Sequence, residues 1–495
     1  MTQRARSSGT LLLVLGLSLL LISACSSATP PSATPVAEAP TAAAAPTTAA
    51  PTSAPTAQVE PTPVLGDPKA LRSDIQIRKI IETGGGIVRM KADPTTGMIY
   101  YMTNKADIYQ LIIKPDNASG KDKPYTLAKI GGNPDLIASG MAFGPDGTLY
   151  VMGNVNNADN TATAIVYKGK SDADGKRVWT TLVSTVPYQK SNTQFDHTFN
   201  GIVISPDGKY LYMNSGSRSD HGEVQDAKGA FPNMREIPLT SAIFRVPTDL
   251  DNQVLPSDEA ELKSKGYLFA DGTRNTYDLA FGPNGDLFGA DNSPDADYPD
   301  ELNWIQEGHH YGFPWRFSTS DNPVRSPDYD PAKDKMLQPE FFAVQNKLYI
   351  KEPNFPPPPD GVTFTDPIVN VGPDADTFRD ADGKSADASD LGQPIASFTA
   401  HRSELGLVFD TAGALGGDLK GGGLIVSWGA AAGTLGDEGR DLLHLKLTKT
   451  GDTYQAAMTQ LVVGFDHPID AALVGKNLYV LDWSGKGTIW ELTLP

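Results

Sequence analysis

The sequence predicts an all-β fold, a six-bladed β-propeller, on three observations. A strand–turn–strand unit recurs six times along the chain. The turns carry Pro-Asp-Gly, Pro-Asn-Gly or related residues, the chemistry of tight hairpins. No long stretch beyond the N-terminal segments repeats apolar residues at helical spacing.

In order, the copies are VRMKADPTTGMIYYM (88–102), GMAFGPDGTLYVM (140–152), GIVISPDGKYLYM (201–213) and DLAFGPNGDLFGA (278–290). LGLVFDTAGALGG (405–417) and DAALVGKNLYVLD (470–482) are weaker copies. Hairpins at irregular spacing fit radial blades better than the two facing sheets of a sandwich. IWELTL (489–494) ends the chain, as expected of a strand that completes a blade begun near the N-terminus. The interval between the fourth and fifth copies is too long for one blade. Residues 316–395, with FPPPPDG and an Asp-rich tract, therefore read as an insertion on one face of a domain covering 75–495.

The segments ahead of the domain have a different character. Arg4 and Arg6 precede LLLVLGLSLLLI (11–22), too short to span a bilayer but suited to a signal-peptide core. ISAC follows, ending at Cys25, the only cysteine of the 495 residues. This reads as a lipobox: signal peptide 1–24, a lipidated Cys25, and export to the outer face of the cell membrane. Residues 26–66 are Ala, Thr, Pro and Ser with almost no charge, and read as a disordered stalk. At roughly 3.1 Å per residue it reaches up to about 100 Å from the membrane. The formal charge of −18 argues against nucleic acid as a partner, because phosphate is repelled.

The repeat also places a site. The first strand of each propeller blade lines the central channel, so residues just before equivalent strands meet around one mouth. His197 lies nine positions before Pro206, and Arg274 nine before Pro283. The same count lands on Arg402, beside His401, in the fifth copy. In the sixth it lands beside Asp466 and His467, and in the first on Gly85. Titratable groups gathered in one concave place define a candidate ligand pocket.

Three segments resemble the soluble, pyrroloquinoline quinone (PQQ)-dependent sugar dehydrogenases, the glucose/sorbosone dehydrogenases. They are DHTFNGIVISPDGKYLYMNSG (196–216), GTRNTYDLAFGPNGDLF (272–288), and DELN followed by GHHYGFP within 297–315. The resemblance implies a six-bladed propeller that oxidises a sugar or related polyol with PQQ and Ca²⁺, and passes electrons to an external acceptor. It makes His197 the general base, and Arg274 and Asn275 contacts of the anionic cofactor. Ser293 and Pro294 stand where backbone carbonyls hold a catalytic Ca²⁺. Asp300, Glu301 and the backbone of Tyr311 stand at a structural Ca²⁺ site.

Departures from the family pattern accompany these matches. SWGAAAG (427–433) and FDHPID (465–470) replace segments that carry basic cofactor contacts in the family. His401, Arg402 and His467 are the candidates to compensate, with His401 counted as a cofactor contact. Gly201 stands where a family arginine often follows the histidine. His309 and His310 read as packing or surface residues, and no zinc-ligand spacing is present. The Asp-rich tract 374–390 reads as a solvated acidic loop. Two other readings stand beside the dehydrogenase: a non-catalytic propeller binding carbohydrate or protein at the cell surface, and a calcium-dependent, lactonase-like hydrolase.

Overall fold

The computed structural model describes residues 64–113, 120–125, 133–171, 176–429, 435–483 and 485–495. The expected signal peptide, Cys25 and the stalk up to residue 63 lie outside these, as do residues 430–433 of SWGAAAG.

Six sheets, antiparallel in their inner strands, form the blades of a propeller. Their innermost strands are Ile87–Ala92, Ile137–Phe143, Phe199–Ile204, Thr276–Phe281, Glu404–Phe409 and Pro468–Val474, defining blades 1 to 6. Each packs beside the next, and the blade 6 strand returns against that of blade 1, closing the ring. Five of the six predicted hairpins supply the two inner strands of a blade, and the fifth supplies the first strand only. The turn glycines Gly147, Gly208 and Gly285 have φ of +77°, +76° and +80°, which favours glycine over any residue with a Cβ.

Blade 6 closes the ring in the way the terminal strand predicted. Thr488–Thr493 pairs with Asn477–Asp482 on one side and with the N-terminal strand Gln76–Glu82 on the other. One expectation needs correction. In the fifth copy the second strand is not within 405–417 but at Gly423–Ser427, because a 3₁₀ turn, Gly417–Leu419, intervenes. Asp410 fixes that detour, its carboxylate accepting from the backbone N–H groups of Ala414, Leu415 and Gly421.

Alternation along the strands sends one set of side chains into each gap between blades. The result is a ring of separate apolar clusters. Between blades 2 and 3 lie Met152, Phe199, Leu211 and Phe244. Between blades 5 and 6 lie Leu424, Leu442, Val480 and Leu492. Each buried aliphatic or aromatic side chain contributes roughly 1.5–3 kcal/mol.

Blade 4 has only three strands, ending at Glu301–Ile305. The chain then crosses to blade 5 through the long segment predicted as an insertion. Its short helix Phe342–Gln345 and surroundings build a satellite core of Phe313, Phe317, Val324, Tyr349 and Phe355. Phe195, two residues before His197, belongs to the same cluster, so the insertion packs beside the predicted mouth. The Asp-rich tract forms a hairpin, Thr377–Arg379 with Ser385–Asp387. Its carboxylates serve backbone groups: Asp380 accepts from the N–H of Asp382 and Lys384, and Asp374 from that of Gln460.

Candidate functional site

The start of each inner strand and the end of its hairpin partner lie side by side on one face of the ring. Phe199 pairs with Ser215, Thr276 with Asp291, Glu404 with Ser427, and Pro468 with Asp482. His197, Arg274, His401, Arg402 and His467 all stand just before inner strands, so they share this face.

The backbone ties His197 to Arg274. The His197 N–H donates to the Ser217 carbonyl at 3.0 Å, and the Ser217 N–H donates to the Arg274 carbonyl at 2.7 Å. The ring is held as well. The Ser217 hydroxyl donates to the Ser219 carbonyl at 2.7 Å, so toward the imidazole it can only accept. Nδ1 of His197, 3.1 Å from that hydroxyl, therefore carries the proton. Nε2 is left with its lone pair and has no protein partner among the described residues. Burial, then the charge of Arg274, push the His197 pKa down to about 3. A neutral imidazole with an open Nε2 presents the lone pair that a general base needs.

Arg274 is itself pinned. Its guanidinium donates to the Asp220 carboxylate at 2.9 Å, to the Asp220 carbonyl at 2.7 Å and to the Asn292 carbonyl at 3.0 Å. Asn275 is anchored through its backbone N–H on Asp291. Arg402 has no charge to spare, being held by Asp437, Asp441 and Glu404. His401 sits 3.1 Å from Asp297 with its ring against Phe341. Burial opposes its charging, but the Asp297 carboxylate outweighs this and raises its pKa. His467 packs against Trp428 and its pKa is lowered, first by burial and then by Arg440.

Arg440 was missed in the sequence, because it precedes no inner strand. Its side chain reaches the Asp466 carbonyl at 3.2 Å, beside His467, and a Cβ on Gly429 would lie 2.3 Å from it. Its Nε is buried without a partner among the described residues. A cation thus stands between the two segments that lacked one. Asp220 and Ser217 were also missed. The loop that carries them follows the second strand of blade 3, and nothing in its sequence marks it apart from its closely spaced polar residues.

A cavity of about 10 Å³, room for a single water or ion, opens among Asp291, Ser293, Pro294, Glu301 and Tyr311. Glu301 and Tyr311, both predicted at a cation site, do meet here. Asp300 does not line it. It accepts instead from the backbone and hydroxyl of Ser293 and from the N–H of Ser403, which ties blade 4 to blade 5. Asp291 takes its place. The Pro294 carbonyl is engaged locally by the N–H of Ala296 at 2.6 Å. Burial raises Asp291 to about 6, against the two N–H groups it accepts; burial and then Asp291 raise Glu301 to about 8. The side-chain oxygens of Asn292 and Ser318, which also line the cavity, are buried without hydrogen-bond partners. Arg274 and Arg316 also border the cavity; the two repelling carboxylates and unsatisfied neutral oxygens are the part of its lining that fits a hard divalent cation. No cluster of three or more His, Cys, Asp or Glu side chains suited to a metal occurs among the described residues, so carbonyl, amide and water oxygens would complete the shell.

Fold and site together define a six-bladed propeller with a pinned imidazole, an arginine and a cation-sized cavity at one mouth. The family model described as Glucose / Sorbosone dehydrogenase matches residues 124–345. Quinoprotein glucose dehydrogenase B of Acinetobacter calcoaceticus is 26% identical over 242 residues, 43% of this chain and 47% of the relative. The match thus spans about half the length of that relative. Over these residues the chain is similar to the glucose/sorbosone dehydrogenases, the family its sequence motifs resemble. Among solved structures, the apo soluble aldose sugar dehydrogenase of Escherichia coli aligns with TM-score 0.53 at 14% identity, over 85% of this chain and 100% of that one. The holo PQQ domain of Coprinopsis cinerea pyranose dehydrogenase aligns with TM-score 0.54 at 12% identity, over 88% and 98%. Both show the fold.

Proposed function

We propose that the chain is an exported, lipid-anchored quinoprotein dehydrogenase that oxidises a sugar or related polyol. PQQ and calcium are its cofactors, and an external acceptor takes the electrons. The observation that carries this is the state of His197: its Nδ1 proton is committed to Ser217, which leaves Nε2 free to take the proton of a substrate hydroxyl. When bound, PQQ supplies the two-electron acceptor for the hydride leaving the sugar carbon. Arg274 and Arg440 are the guanidiniums suited to its carboxylates. Asp291, Glu301 and the backbone of Tyr311 hold a structural Ca²⁺. Asn275, Ser293, Pro294 and His401 border the cofactor.

The lactonase-like reading is less favoured because its carboxylates would have to converge on a metal in the channel. Asp278 and Asp470 do project there, but Lys91 bridges them at 3.1 and 3.0 Å and the buried Arg89 guanidinium faces both, so the pair is already balanced by two cations. The test is to add Ca²⁺ and PQQ to the purified protein and follow dye reduction with a panel of aldoses. Dye reduction that needs PQQ supports the reading; PQQ binding without turnover favours the non-catalytic propeller.

A further inference from the structure

Behind Arg274 lies a second buried cationic group that the proposed chemistry does not use. The Asp220 carboxylate is fully buried and shared. One oxygen accepts from Arg274 at 2.9 Å and from the N–H of Asp295 at 3.0 Å; the other lies 3.0 Å from Nδ1 of His221. The His221 ring is also fully buried and lies 3.4 Å from Glu223. Its Nε2 has no partner among the described residues, so the carboxylates of Asp220 and Glu223 on the Nδ1 side are what can hold a charge on the ring.

The insertion holds this histidine in place. Tyr349 stacks on the imidazole with centroids 3.9 Å apart and planes 18° from parallel. Asn322 donates to the His221 carbonyl at 2.7 Å. Glu352, also from the insertion, faces the ring and pairs with Arg235.

We infer that His221 is a positioning residue for Arg274: as an imidazolium it occupies the second oxygen of Asp220 and keeps the buried cluster from becoming net anionic beside a carboxylate ligand. The charges decide the direction. With His221 protonated, Arg274, Asp220, His221 and Glu223 sum to zero, and Glu352 cancels Arg235. Loss of the imidazole proton leaves the group at −1, next to the guanidinium on which an anionic cofactor depends. Burial disfavours the charged ring, but Glu223, Asp220 and Glu352 together outweigh it, so the proton is held above the usual histidine range. Asp295 meets the far oxygen of Asp220 through its backbone N–H and does not touch the ring; burial and then the Asp220 charge raise its own carboxyl to about 6, so it adds to the negative charge of the group once ionised. Anion affinity at the mouth therefore falls as pH rises through the His221 titration. The inference rests on the quinone reading of Arg274.

The experiment is a PQQ titration of the full chain with saturating Ca²⁺, read by quenching of tryptophan fluorescence from about pH 5.5 to about 9, upward from the ordinary histidine range. Wild type, His221→Gln and Glu352→Gln are compared, with melting temperatures recorded alongside. Wild-type affinity is expected to weaken about tenfold across that titration, the size of one unit charge acting through a partly buried site. His221→Gln starts at the weaker value and loses that limb. Glu352→Gln keeps the limb with its midpoint moved to lower pH, a shift that a purely structural role would not produce. A His221→Gln profile matching wild type, or an unmoved midpoint in Glu352→Gln, overturns the role of His221 and leaves the quinone reading standing. A wild type that binds no PQQ at any pH brings down that reading and the inference with it.

Discussion

Arg274 and Asp220 form a buried ion pair at 2.9 Å, 54 residues apart in sequence, and it fixes the guanidinium nearest the candidate base. Neither group can be left alone at this depth. Asp220→Asn removes the negative charge and leaves Arg274 uncompensated, which is expected to cost about 3–5 kcal/mol of stability. Urea unfolding checks it, the midpoint falling without a large change in slope.

Gly216 stands where a side chain would displace the base. A Cβ built there lies 2.4 Å from Cβ of His197. Gly216→Ala is expected to destabilise by about 1–3 kcal/mol through overpacking. Because the clash falls on His197, kcat should drop by more than the thermal shift alone would suggest. Turnover on folded protein, compared with the melting temperature, separates the two effects.

The buried histidines set a pH dependence. Burial lowers His444 to about 4, below its unfolded value, so the unfolded chain takes up the proton first as pH falls. The stability His444 contributes is present above about pH 6.5 and is lost as pH falls from there through 4, at about 1 kcal/mol per unit. His444→Gln should therefore gain on wild type steadily over that window. Paired urea titrations at a series of pH values give the difference directly, and a constant offset would contradict the assignment.

The cavity between blade 4 and its crossover makes a prediction about metal. Ca²⁺ should raise the melting temperature in proportion to the logarithm of its concentration once the site saturates. Glu301→Gln should abolish most of that rise. Asp300→Asn should leave the calcium response in place but destabilise the protein, because Asp300 joins Ser293 to Ser403 rather than lining the cavity. Differential scanning of the variants with chelator and with calcium distinguishes the two carboxylates.

Much of the architecture was legible because the hairpin is a local signal. Pro206-Asp207-Gly208 and Pro283-Asn284-Gly285 announce their turns within a few residues, and the blade order follows from their sequence order. Counting back from those turns brought His197 and Arg274 to one mouth, since propeller symmetry converts register into position. What stayed hidden is whatever lies off the repeat. Asp220 and Arg440 sit in loops after second strands, where no spacing rule applies. Asp291 ends a strand and reads as an ordinary polar terminus until the crossover folds Tyr311 beside it. Arg402 shows the converse: its register is right, but three acids consume its charge.

The most direct measurement is single-turnover reduction of bound PQQ by an aldose, followed by the quinone absorbance, in wild type and His197→Asn. The account predicts that both bind PQQ with similar affinity and that the variant reduces it roughly 10²–10⁴-fold more slowly, the usual contribution of a positioned base. Equal rates in the two proteins would contradict it, as would a wild type that takes up no PQQ in the presence of calcium.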